Sequence, residues 1–294
     1  MTRTFLRAPR RQSGFTVVEL MVSLVVGFAV VGALLAAYMA SFRGSRHNDA
    51  MVQMAEDATL ALNVMRAQTA MAGYSAVLGT NPAGIIVHDF AGTPVFGCAA
   101  SQFGDLVADI TAAVPCNATA DPSDTLEVAY EATSGSGSND ILGSGASANV
   151  PLDCLGNAIP PHADSHPGTF YLNDSKFYVQ NGALYCHAAG ATPGAPLVDH
   201  VEKLKVTYGL SDGTVKNQIV TYAPAPVKAS ADWARLVSVT ICIEVRSAEK
   251  VLDQTNVASL STYVDCAGVR QTTLTDGYLR RSFATTVVLQ NRLL

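Results

Sequence analysis

Charge is scarce in this sequence. Only 15 % of its residues are Asp, Glu, Lys or Arg, against 49 % apolar. A disordered chain needs the opposite balance, so the composition is that of a folded protein with a core to bury. Recognisable reaction chemistry is missing too. There is no G-x-S-x-G elbow, no phosphate-cradling P-loop and no H-E-x-x-H helix. No acid occurs in residues 1–14, which carry Arg3, Arg7, Arg10 and Arg11. The rest holds 15 basic and 24 acidic residues, a net −9. A body that acidic gives no electrostatic support for general nucleic-acid binding, and no nucleic-acid partner is expected. Cysteine is absent from the first 97 residues, and no C-x-x-C pair occurs. What is there is an even set, widely spaced: Cys98, Cys116, Cys154, Cys186, Cys242 and Cys266. Such a set after a membrane segment reads as disulfides in an oxidising compartment.

That membrane segment is residues 15–42, a 28-residue run with one charge, Glu19. As a helix it would be roughly 42 Å long, more than the ~30 Å of a bilayer's hydrocarbon core. Arginines before it favour a cytoplasmic N-terminus, with the rest of the chain outside. A cleaved secretory signal would end in an Ala-x-Ala site, which is missing between residues 28 and 42. A plain signal anchor accounts for the length but leaves Glu19 unexplained, because an ionisable group in a span is costly.

Arg10-Arg11-Gln12-Ser13-Gly14-Phe15-Thr16-Val17-Val18-Glu19-Leu20 resembles the class III signal of type IV prepilins. The resemblance implies cleavage after Gly14 by a membrane prepilin peptidase, N-methylation of Phe15, and an assembly role for Glu19 at the fifth mature position. Cleavage removes the arginine anchor and creates an α-amine that is mostly cationic at neutral pH.

Beyond the span, Met51, Met54, Ala58, Leu62, Met65 and Ala72 fall on one helical face, and Gly73 fits a C-terminal stop. The stripe reads as core packing. After Gly73 the signals are those of strands. Residues 126–130 alternate, and runs at 169–172 and 176–179 flank Asn173-Asp174-Ser175. Asn181-Gly182 then marks a hairpin, and Asp212-Gly213 lies in another turn. Residues 236–245 alternate most clearly. Val237, Val239, Ile241, Ile243 and Val245 point to a core, leaving Cys242 on the polar face where a loop carrying Cys266 could pin it. Residues 134–148 are Gly/Ser-rich and read as a loop. The expected fold is α+β and type IV pilin-like. A long N-terminal helix, half transmembrane and half amphipathic, packs on a mainly antiparallel sheet. The expected division is a leader at 1–14, an assembly helix at 15–72 and a periplasmic head at 73–294.

Cys154, His162, His166, Cys186 and His187 do not have the spacing of structural zinc sites, and a Cys154–Cys186 disulfide is the simpler reading. Pairing of sequence neighbours gives Cys98–Cys116, Cys154–Cys186 and Cys242–Cys266. No metal, cofactor or catalytic residue is expected.

Three further stretches, 70–74, 201–209 and 279–292, resemble the PilW family of minor type IV pilins. The resemblance implies a non-enzymatic subunit of a pilus-tip priming complex. Its partners would be other minor pilins, the major pilin, the prepilin peptidase and a large tip adhesin, with the membrane as host before assembly. A pseudopilin of a type II secretion system would share the leader, helix and Glu19. A membrane-anchored periplasmic binding protein or enzyme would keep its N-terminus uncut.

Overall fold

A computed structural model describes residues 14–80, 82–83, 86–88, 93–106, 115–118, 123–132, 152–161, 171–188, 194–215, 218–226, 230–252, 262–272 and 274–291. The leader arginines, His162, His166, Thr169, Phe170 and the Gly/Ser-rich stretch 134–148 lie outside them. The chain divides into two compact units, 1–49 and 50–294.

Helix α1 is Val17–Met71. Its part in the first unit has no buried face: Val17, Val18, Phe28, Leu34 and Tyr38 are all exposed. This segment is long and apolar enough to cross a membrane. In the second unit the same helix turns amphipathic. Ala50, Met54, Ala58, Ala61, Val64, Met65, Gln68 and Thr69 are buried, while Glu56, Asn63 and Arg66 are exposed. The methionine stripe is therefore core, as its spacing indicates.

Gly73 ends the helix. It has φ +77°, the left-handed conformation that favours glycine. Asn291, more than two hundred residues on, completes the end: its Nδ2 donates to the carbonyls of Ala70 (3.4 Å) and Met71 (3.2 Å).

The second unit carries two main antiparallel sheets. One is five-stranded in the order β3 (Val95–Phe96), β6 (Leu126–Glu131), β7 (Leu172–Gln180), β8 (Ala183–Ala188), β9 (Ala195–Asp199). The other is four-stranded in the order β11 (Thr221–Ala223), β10 (Val201–Leu210), β12 (Leu236–Arg246), β15 (Arg280–Val288). Three two-stranded ribbons complete the described set. They are β1 (Val77–Thr80) with β2 (Ile86–His88), β4 (Ser101–Phe103) with β5 (Cys116–Ala118), and β13 (Tyr263–Val264) with β14 (Arg270–Gln271).

The chain passes from one main sheet to the other through a single residue, His200, at φ +64°. The β7–β8 hairpin turns on Asn181 (φ +52°) and Gly182 (φ +73°), the positive dihedrals that a tight Asn-Gly turn requires. Trp233, in a short 3₁₀ turn (Ala231–Arg235), packs edge-on to Tyr208 and against Phe96.

One reading from the sequence is corrected. Asn173-Asp174-Ser175 is no turn between two strands but lies within the first half of β7, each residue paired with β6. Each of its polar side chains finds a partner inside the fold. Asn173 Nδ2 donates to Gln68 Oε1 of the helix (2.8 Å), which also accepts from the Tyr130 hydroxyl (2.9 Å). Internal partners let residues that usually favour turns sit in a buried strand.

Candidate functional site

The residues expected to govern processing and assembly stand together where α1 begins. Gly14 and Phe15 precede the helix and are exposed. Thr16 is its N-cap. The Glu19 amide donates to Thr16 Oγ1 (3.2 Å), and the Thr16 amide donates back to Glu19 Oε2 (3.3 Å). This is a reciprocal capping box, which supplies partners for two amides that the first turn of a helix leaves open. Glu19 therefore sits where the positive end of the helix dipole favours a carboxylate, among exposed Val17, Val18, Leu20 and Met21. Thr16 escaped the sequence reading, although Thr-x-x-Glu before an apolar run is the signature of this box. In the uncut chain the Phe15 nitrogen is part of a peptide bond, so Thr16 rather than an amine holds the carboxylate.

In the second unit the six cysteines are joined as Cys98–Cys116, Cys154–Cys186 and Cys242–Cys266. Cys154 and Cys186, once bonded to each other, offer no thiolate to a metal. Each bond ties a loop to a sheet. The Cys242–Cys266 bond fastens the β13–β14 ribbon over the outer face of β12. Beneath it, buried Glu244 accepts from the Tyr263 hydroxyl (2.7 Å) and the Cys266 amide (3.1 Å). Burial, then the neighbouring Glu244, pushes the Tyr263 hydroxyl above its ordinary range.

Asp124, 3 % exposed, performs a similar bridging task. It accepts the Ala100 amide (2.7 Å) beside Cys98 and the Val206 amide of β10 (2.8 Å), and pairs with Lys205 Nζ at 3.2 Å.

A further polar cluster lies across β6, β7 and β8, where Glu127, Lys176 and His187 share one row of the sheet. Lys176 Nζ donates to Asp174 Oδ2 (2.8 Å) and lies 3.0 Å from Glu127 Oε1. The three charged side chains are 2 %, 3 % and 1 % exposed. Burial, followed by the repulsion of Asp174, pushes the Glu127 carboxyl up to about 8. Burial lowers His187, and Lys176 lowers it further. The β4–β5 ribbon lies alongside: Gln102 Nε2 donates to the Val179 carbonyl (3.3 Å) and Asp105 acts on His187. The sequence reading missed this cluster because it took Asp174 for a turn residue and saw Glu127 only as the polar half of an alternating strand.

Comparison with known proteins bears on both regions. Residues 9–35 match the model of the prokaryotic N-terminal methylation motif. Residues 169–291 match that of the type IV pilus-assembly protein W family, PilW. No curated protein matches. Among solved structures, the type IV-like pilin TTHA1219 from Thermus thermophilus is similar at 14 % identity. The likeness covers 81 % of this chain and 96 % of that one, with a TM-score of 0.41.

A methylation motif at the head of an apolar helix, followed by antiparallel sheets, defines a type IV prepilin. The match over residues 169–291, from β7 to β15, supports a PilW-like chain, a minor type IV pilin in pilus assembly. That family is structural rather than catalytic, and the motif is one of membrane anchoring.

Proposed function

We propose that the chain is cut between Gly14 and Phe15, methylated on Phe15, and carried from the inner membrane into a priming complex at the pilus tip. The observation that carries this is the junction itself: Gly14 and Phe15 stand exposed immediately before a capped helix whose first turn holds Glu19. Cleavage frees an amine at Phe15. An unpaired carboxylate in an apolar filament core takes a proton or finds a cation, and that amine, on the same or a neighbouring subunit, is the nearest cation cleavage creates. An apolar surface alone tolerates sliding, so this pairing sets the axial register of one helix on the next. Desolvation offsets much of the attraction, and specificity rather than stability is what the pair contributes.

The head at 73–294 then lies in the periplasm before assembly. At the tip it meets other minor pilins and the major pilin, and supports a large adhesin. The match to a pilus-assembly family favours this over a secretion pseudopilus. The test is Glu19→Val expressed in a host deleted for the gene. Leader processing should stay near the wild-type level while the number of pili falls. Normal piliation with normal processing would remove Glu19 from assembly.

A further inference from the structure

We propose that Lys176 and Asp174 condense to an amide between Nζ and Cγ, with Glu127 as the proton-carrying acid, so that the mature head contains an autocatalytic covalent link beside its disulfides. Asp174 and Lys176 are two residues apart on β7 and project from the same face of the strand. Lys176 Nζ donates to Asp174 Oδ2 at 2.8 Å, so the ammonium is already hydrogen-bonded to the carboxyl that would acylate it. Against burial, Asp174 and Glu127 keep Lys176 above its ordinary range, and it becomes a nucleophile only on passing a proton to Asp174. Glu127, directly across on β6, is 3.0 Å from the same nitrogen and also bears on Asp174. Every group needed for an acyl transfer from a carboxylic acid to an amine is therefore in contact.

Burial supplies the drive. In water an ammonium and a carboxylate are better off hydrated than condensed. Here all three side chains are at most 3 % exposed, and the hydration that would favour the ions has been stripped away. The amide is neutral, and the water it releases gains its hydration outside. Burial also keeps Glu127 protonated up to about 8, so a neutral carboxyl stands beside the reacting pair at neutral pH.

The step balances without an external reagent. Lys176 passes one proton to the Asp174 carboxylate as its nitrogen attacks Cγ; Glu127 then gives its proton to the leaving oxygen and takes up the second proton that the nitrogen loses. The C–N bond forms, and the C–O bond breaks with loss of water. Glu127 ends as it began. Overall, one ammonium and one carboxylate become one amide and one water. His187, from β8, and Asp105, beside β4, are the other titratable groups at the cluster. His187 held neutral adds no second cation to compete for the carboxylates.

The experiment is the intact mass of the full chain purified from a pilus-bearing host, with disulfides reduced, followed by proteolysis and tandem mass spectrometry. The expected mass is lower by one water than the sequence of the processed chain gives. Trypsin should fail to cut after Lys176, and fragment ions should place the branch between Lys176 and Asp174. Lys176→Arg and Glu127→Gln should each restore the missing water. A wild-type mass with no loss of water overturns the proposal and leaves a buried ion pair. Three other results overturn it: a loss of water that leaves Lys176 cleavable, which marks a succinimide at Asp174; fragment ions that place the branch on Glu127; and a Glu127→Gln chain that still loses water. The wild-type mass decides even if a variant fails to fold.

Discussion

Single carboxylates have four different tasks in this protein, and their surroundings set each one. Glu19 caps a helix. Glu244 receives the strapped ribbon. Asp124 holds two backbone amides at the junction of two sheets, and its loss leaves both without a partner. Asp124→Ala should therefore lower the unfolding free energy by about 1–3 kcal/mol for each stranded N–H, read as a drop in the urea midpoint. Glu127 makes stability depend on pH. In the fold it keeps its proton up to about 8, whereas an unfolded glutamate releases it near about 4.3. Between those values the native chain binds a proton that the unfolded chain lacks. Its contribution is fully present below about pH 4 and declines as pH rises toward about 8. Glu127→Gln should flatten that part of the stability profile, measured as urea midpoints across the window. Because Glu127→Gln also blocks the proposed amide, the readout is the slope of the midpoint with pH and not the midpoint itself. An unchanged slope in the variant would show that Glu127 ionises normally in the fold.

The elements differ in how legible they are, and the difference is physical. The amphipathic turns of α1, strand β12 and the Asn181-Gly182 hairpin announce themselves because period and turn chemistry are local. Strand β7 does not. What keeps Asn173 in a strand is Gln68, 105 residues earlier on the helix, and what keeps Asp174 there is Lys176. No window along the sequence contains that first partner. The helix ends also divide this way. Gly73 signals the stop locally, but the Asn291 side chain that completes it comes from the far end of the chain. Gly73→Ala places a Cβ at φ +77°, 3.2 Å from Pro94 Cβ, and should destabilise the fold by about 1–2 kcal/mol in thermal or urea unfolding. The Cys242–Cys266 strap closes a separation of 24 residues. The double variant to serine should lose about 3–4 kcal/mol if chain entropy dominates, and free the β13–β14 ribbon to exchange its amides faster. A ribbon equally protected without the bond would show that Glu244 and its hydrogen bonds suffice.

At the scale of the whole molecule, the two units have surfaces made for different surroundings. The first exposes an almost unbroken apolar helix, tolerable only in lipid or among other such helices. The second buries its apolar face in two sheets and is fastened by three disulfides. The first carries the prepilin motif of membrane anchoring, and the second carries the match to a pilus-assembly family. One chemical event is therefore decisive, separation of the leader from the helix at Gly14–Phe15. Mass spectrometry of the N-terminal peptide from sheared, purified pili of the native host tests it directly. The predicted result is this chain present in the pilus fraction and beginning at N-methylated Phe15. A chain found only in membranes, with residues 1–14 still attached, would contradict it.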